Sequence, residues 1–151
     1  MKSIEEEIKQ KKFRDEFERV EVNLAYTAAF FETRFSAILK PYGISPQQFN
    51  ILRILKGQHP NAVTLKSISE RMLDKNSNTS RLIEKMRIKN LITRNICPDN
   101  RRQVDIAIIE KGISLINELT ELVNLKRQGY INLTKEEASQ LSGLLDKMRG
   151  G

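Results

Sequence analysis

Between Ile92 and Ile108 the apolar residues of this chain change period. Ile92, Arg94 and Ile96 alternate with Thr93, Asn95 and Cys97; after Pro98-Asp99-Asn100, Val104, Ile106 and Ile108 alternate with Gln103, Asp105 and Ala107. Two alternating segments on either side of a turn predict a β-hairpin. Elsewhere the apolar positions recur every three or four residues, which is the helical period. The fold class that follows is mainly α with one small hairpin.

From about Phe13 to Lys40, Phe17, Val20, Leu24, Ala28, Phe31, Phe35 and Ile38 form one stripe of a long helix. It stops at Pro41-Tyr42-Gly43. Ser45, Pro46 and Gln48 then supply an N-cap, a proline at the first helical position and the partner of a capping box, so a second helix carries Phe49, Leu52 and Leu55 towards Gly57. Thr64 is placed to cap a short helix with Leu65, Ile68 and Met72, and Leu82, Ile83 and Met86 continue beyond the polar break 74–78. Asn90 ends that helix, as a residue tolerant of left-handed backbone. After Glu110 a helix to about Gln128 holds Ile113, Leu115, Ile116, Leu119, Leu122, Val123 and Leu125, more apolar surface than one face can bury, which implies a partner subunit. The last helix opens with a capping box from Thr134 to Glu137 and a staple from Leu133 to Ala138. Near the N-terminus, Glu5 with Lys9 and Glu7 with Lys11 have the spacing of helical ion pairs.

Several function classes are disfavoured by what the chain holds. It has 151 residues, 39% hydrophobic and 30% charged, which suits one domain with a core of its own. Its one cysteine, Cys97, excludes an intrachain disulfide and argues against a Cys-based zinc site, so neither metal nor cofactor is expected. The single histidine, His59, falls in a Gly-Gln-His-Pro-Asn turn. No phosphate loop or nucleophile elbow is present, and no enzyme is expected. No apolar run is long enough to span a membrane and the first twelve residues are not signal-like, so a cytoplasmic location with no membrane partner is expected.

Charge points to a partner. The chain carries 26 Lys and Arg against 19 Asp and Glu, a formal net charge of +7. Between Lys75 and Arg102 stand eight basic residues, Lys75, Arg81, Lys85, Arg87, Lys89, Arg94, Arg101 and Arg102, against Glu84 and Asp99. Nearly all of the excess therefore sits on one helix and the hairpin. A solubilising surface would intersperse its signs, so the clustering favours a polyanion. With Thr79, Leu82, Ile83 and Met86 facing the core, Ser77, Asn78, Ser80, Arg81 and Lys85 project outward, and these residue types read base edges and hold phosphates. The same Asn and Ser residues also serve as ordinary helix caps. The basic hairpin tip, Asn100-Arg101-Arg102, favours the nucleic-acid reading.

The order helix, helix, helix-turn-helix, basic hairpin, long helix, helix resembles the MarR family of winged helix-turn-helix transcriptional regulators over almost the whole chain. The resembling pieces are 42–49 leading into 51–55, Asn78-Thr79-Ser80-Arg81-Leu82-Ile83-Glu84-Lys85-Met86 leading into 89–94, and Asp99-Asn100-Arg101-Arg102-Gln103-Val104-Asp105-Ile106 closed by Glu110-Lys111-Gly112. The resemblance implies a single domain, 1–151, with a winged-helix DNA-binding region at about 42–109 and N- and C-terminal dimerisation helices at about 1–40 and 110–149. It implies a homodimer on a roughly palindromic operator of double-stranded DNA, and a repressor rather than an activator. Ser77, Asn78, Ser80, Arg81 and Lys85 would then contact the major groove, Lys66 a phosphate, Arg101 and Arg102 the wing's groove, with Thr64 and Ser67 assisting at the backbone.

The family's release of DNA on binding a small lipophilic or phenolic effector would place Tyr26, Phe30, Arg34, Phe49 and Tyr130 around a cleft, although aromatics at helical spacing are also ordinary core residues. Three positions depart from the family pattern: Asn100 replaces an Asp that braces the wing arginine, Asn90 a Gly, and Ile109 a capping Thr. Oxidation of Cys97 in the wing would disturb DNA contact, its plainer reading being a small strand residue. The alternative function is a winged-helix interaction module that binds an acidic protein; RNA is the weaker polyanion, because no aromatic platform for stacking bases is present.

Overall fold

The computed structural model describes residues 2–97 and 100–150, giving the backbone alone at 96, 97 and 100–103. Its elements run α1 (Ile4–Ile8), α2 (Glu16–Leu39), a 3-10 turn (Lys40–Tyr42), α3 (Pro46–Lys56), β1 (Val63–Thr64), α4 (Leu65–Arg71), α5 (Thr79–Ile88), β2 (Ile92–Cys97), β3 (Asn100–Ile108), α6 (Glu110–Arg127) and α7 (Lys135–Met148). They form two compact units, 1–116 and 117–151.

In the first unit, most helix starts are written in the sequence. Ser45 accepts from the Gln48 N–H while the Gln48 side chain accepts from the Ser45 N–H, with Pro46 at the first position, so α3 begins with the expected capping box. Thr64 caps α4 through the Ser67 N–H. Asn90 adopts positive φ, 55°, just past α5. Phe49, Ile51, Leu52 and Leu55 of α3, Ile68 of α4, Ile83 and Met86 of α5, and Ile106 and Ile108 of β3 are all buried.

The hairpin is confirmed and extended. β2 pairs antiparallel with β3 from Ile92 opposite Ile108 to Ile96 opposite Val104, and β3 begins at Asn100, earlier than its alternation suggested. A third strand, β1, pairs Val63 with Ile106 and Thr64 with Asp105. Two residues are too few to show a period, so β1 has no signature in the sequence.

The N-terminal ion pairs differ from expectation. Lys9 is the left-handed C-cap of α1, which ends the helix before an i, i+4 pair forms. Glu5 instead pairs with Arg19 of α2 at 2.8 Å, and the Tyr26 hydroxyl donates to Glu7 at 2.8 Å, so α1 is held against α2. The apolar stripe of α2 divides: Phe17, Val20, Leu24 and Phe31 are exposed, Phe17 by 77%, whereas Phe35 and Ile38 are half-buried.

The second unit holds the rest of α6 and α7. α7 opens on the expected box between Thr134 and Glu137. Leu133 is 47% exposed, so the staple to Ala138 does not shield it. Leu119 is buried, whereas Leu125, Leu141, Leu144 and Met148 are exposed.

Where β3 passes into α6, the Ile109 N–H donates to the Leu91 carbonyl at 3.2 Å, and Gly112 packs directly under that carbonyl. A Cβ on Gly112 would fall inside the Leu91 oxygen and 2.8 Å from Ile108 Cγ1. The neighbour is backbone and cannot step aside. Gly112→Ala is expected to destabilise the protein by about 1–3 kcal/mol, read as a lower denaturant midpoint; an unchanged midpoint would show that α6 shifts freely.

Candidate nucleic-acid interface

α5 is anchored on one side and polar on the other. Thr79, Ile83 and Met86 are buried and Leu82 is half-buried, while Asn78, Ser80, Arg81 and Lys85 are exposed. A helix repeats every 3.6 residues, so burial of the first set dictates the projection of the second. The loop into α5 is ordered by its own polar groups. Asp74 Oδ1 accepts from the Asn76 N–H at 2.9 Å, Asp74 Oδ2 accepts from the Ser77 hydroxyl at 3.0 Å, and Asn78 Oδ1 caps the helix through the Arg81 N–H at 3.1 Å. From α3, Asn50 Oδ1 accepts from the Leu73 N–H at 2.9 Å, which ties this loop to the rest of the unit.

The expected groove residues Ser77, Asn78, Arg81 and Lys85 come together around a shallow depression that Gln47, Asp74 and Leu82 complete. Ser80 is exposed on the same helix. Two of these residues also carry structural roles: Asn78 is the cap and Ser77 is bonded to Asp74. Arg81 and Lys85 have no partner among the described side chains, and their charges face outward. Lys66, on α4, reaches only a loose contact with Glu70, 3.9 Å away. Thr64 Oγ1 is engaged as a cap. The side chains of Arg101, Arg102, Asn100 and Cys97, and the whole of Pro98 and Asp99, lie outside the described residues.

Other members of the basic cluster are committed within the protein. The Arg87 guanidinium donates to both oxygens of Glu84, at 2.8 to 3.2 Å, and Arg94 on β2 approaches the same carboxylate at 3.7 Å. The hydrogen bonds from Arg87, with the nearby charges of Arg87 and Arg94, hold the Glu84 carboxyl below its ordinary value of 4.5 and push the Arg87 guanidinium up. Because the Glu84 value is depressed on folding, this contribution is in place above pH 4.5 and is lost as pH falls through the lowered value. The Lys89 ammonium donates to the Gly43 carbonyl and Lys75 to the Glu70 carbonyl. Asp74 was passed over by sequence reasoning, and Glu84 was counted there only as an opposing charge, not as a partner of Arg87 and Arg94. The signal for Glu84 was available, since it follows Ser80 by four residues and precedes Arg87 by three.

Four of the five expected effector residues, Tyr26, Phe30, Arg34 and Phe49, lie in the first unit. Tyr26, Phe30 and Arg34 follow at intervals of four on α2, and the Arg34 guanidinium lies 3.6 Å from the centroid of the Phe30 ring. Phe49 is buried in edge-to-face contact with Phe35, centroids 5.1 Å apart, as a core residue. Tyr130 belongs to the second unit. Among the described residues no three His, Cys, Asp or Glu side chains cluster as a metal site, and no helix is long and apolar enough to cross a membrane.

A two-helix element with its second helix exposed, beside a three-stranded sheet, is a winged helix-turn-helix. The profile of the MarR family matches residues 44–104. An uncharacterised helix-turn-helix transcriptional regulator, YsmB of Bacillus subtilis, is 30% identical over 135 residues, covering 86% of this chain and 88% of that protein. MhqR of the same organism, a helix-turn-helix transcriptional regulator, is 31% identical over 80 residues, a match that spans only about half, 52%, of each chain. Among solved structures, a MarR transcription factor from Planctomyces limnophilus superposes with a TM-score of 0.70 at 25% identity, covering 93% of this chain and all of the other. The S. aureus MepR–DNA complex superposes with a TM-score of 0.77 at 20% identity, over 87% and 96% of the two chains. An organohalide-sensing regulator in its 2,4-dichlorophenol-bound form gives 0.80 at 23%, over 93% and 86%. The chain belongs to the MarR family and is a DNA-binding transcriptional regulator.

The capping role of Asn78 is tested by substitution. Asn78→Ala removes the cap acceptor and is expected to cost about 1 kcal/mol of stability, whereas Asn78→Asp keeps the acceptor and the stability. Chemical denaturation of both variants checks this; equal midpoints would mean that the cap contributes nothing.

Proposed function

We propose that this regulator acts as a cytoplasmic homodimeric repressor with no enzymatic activity, binding a roughly palindromic operator through the exposed face of α5 and the wing. The observation that carries the reading is the pair Arg81 and Lys85, without a partner among the described residues, on the outward side of a helix whose other side is locked in the core. In this reading Arg81 reads guanine, Asn78 adenine, Ser77 and Ser80 assist at base edges, and Lys85 and Lys66 hold phosphates. Arg101 and Arg102 follow from their place in the hairpin and reach the flanking groove.

The dimer is supported by apolar side chains that one copy leaves in water: Phe17, Val20 and Leu24 on α2, and Leu141, Leu144 and Met148 on α7, each set at helical spacing. Exposed apolar surface of this kind marks an interface. A small lipophilic or phenolic effector would relieve repression, and the dichlorophenol-bound relative supports that ligand class. Tyr26, Phe30 and Arg34 offer aromatic and cationic contacts for it, with Phe49 and Tyr130 as further lining candidates.

Selection of bound genomic fragments is expected to return a palindromic motif whose binding weakens steeply with salt, by a slope of about 0.9 per phosphate contact. Arg81→Ala should then relax base preference at a defined position by about 1–3 kcal/mol, while Arg102→Ala weakens all sequences alike. Parent-like binding by both variants would overturn the assignment, and equal weak affinity for operator and random duplex would favour an acidic protein partner.

A further inference from the structure

Glu84 stands on the outward face of α5, one turn beyond Ser80 and Arg81 and next to Lys85, where a carboxylate repels phosphate. The Arg87 Nε–H is shared between its two oxygens, at 3.2 and 3.1 Å, Arg87 Nη2 donates to Oε1 at 2.8 Å, and Oε2 lies 3.7 Å from Nη1 of Arg94. Arg87 lies on the same helix and Arg94 on β2, opposite Ile106 of β3. One carboxylate thus collects two of the eight cations between Lys75 and Arg102 and links the exposed helix to the sheet that carries the wing. All three side chains are 40 to 49% exposed, so stability does not explain the cluster; exposed ion pairs contribute little to folding.

The effect on DNA is larger. Non-specific binding is almost entirely counterion release, whereas operator binding adds base contacts that do not depend on charge number. Withdrawing cations therefore weakens binding to every duplex by about the same factor and flattens its salt dependence. We propose that Glu84 sets the strength and salt dependence of the DNA interface, withholding Arg87 and Arg94 from the phosphate backbone and linking α5 to β2. The proposal rests on the DNA-binding reading above and adds which charges are kept out of it.

Glu84→Gln preserves shape and removes the charge. Binding to a random duplex and to a selected operator fragment is measured by fluorescence anisotropy across a salt series. The variant is expected to bind random duplex at least about tenfold more tightly near 0.1 M salt, with a slope steeper by about 0.9 for each arginine released, up to about 2 per protomer. The operator-to-random ratio should stay near the parent value, because released arginines hold phosphates of either duplex. Adding Arg87→Gln and Arg94→Gln to Glu84→Gln should return the slope to the parent value, which a mere change in folding would not do. A Glu84→Gln slope equal to the parent's overturns the proposal while leaving the DNA-binding reading intact, as does a change in the ratio with no change in slope. A parent that binds every duplex without salt dependence removes both.

Discussion

One-sided burial of α5 is the constraint on which the interface depends. Thr79, Ile83 and Met86 are packed into the unit that also buries Ile68 and Ile106, and each large apolar side chain so placed contributes roughly 1.5–3 kcal/mol relative to water. Rotating the helix to hide its polar face would forfeit several such contributions at once. The outward direction of Arg81 and Lys85 is therefore maintained by residues that never meet the ligand. The Asp74 bonds to Asn76 and Ser77 then set the path of the chain into the helix.

The other end of α5 is also secured by hydrogen bonds to backbone carbonyls. Asn90 takes left-handed φ, the Leu91 carbonyl receives the Ile109 N–H, Lys111 donates to the Lys89 carbonyl at 3.1 Å, and Lys89 reaches the Gly43 carbonyl. The turn before α3, the end of α5, the return of β3 and the start of α6 thus meet at one junction. Gly112 is required there because only a hydrogen fits beneath the Leu91 oxygen.

Much of this was legible in the residues. The boxes at Ser45 and Thr134, the cap at Thr64, the alternation at 92–108 and the burial phase of α5 all express local rules, and each appears where the rule places it. What was not legible depends on contacts between distant positions. β1 is only two residues long and exists because β3 offers it an edge. Glu5 finds Arg19 and Glu7 finds Tyr26 only after Lys9 has ended α1 and the chain has turned back. Within the site, counting charges placed eight cations together but did not show that Glu84 holds two of them, since that depends on how near β2 comes to α5. The aromatics of the expected effector cleft divide by the same logic: Phe49 faces inward to Phe35, whereas Phe30 remains beside Arg34.

Phe17 lies 77% in contact with water, and its neighbours along α2 are little better covered. If a second copy is what shields them, the folded state and the paired state share one equilibrium, and the amount of competent regulator varies with the square of chain concentration when copies are scarce. Promoter occupancy would then respond more than proportionally to expression level, giving a threshold in gene control that arises from mass action before any small molecule is bound.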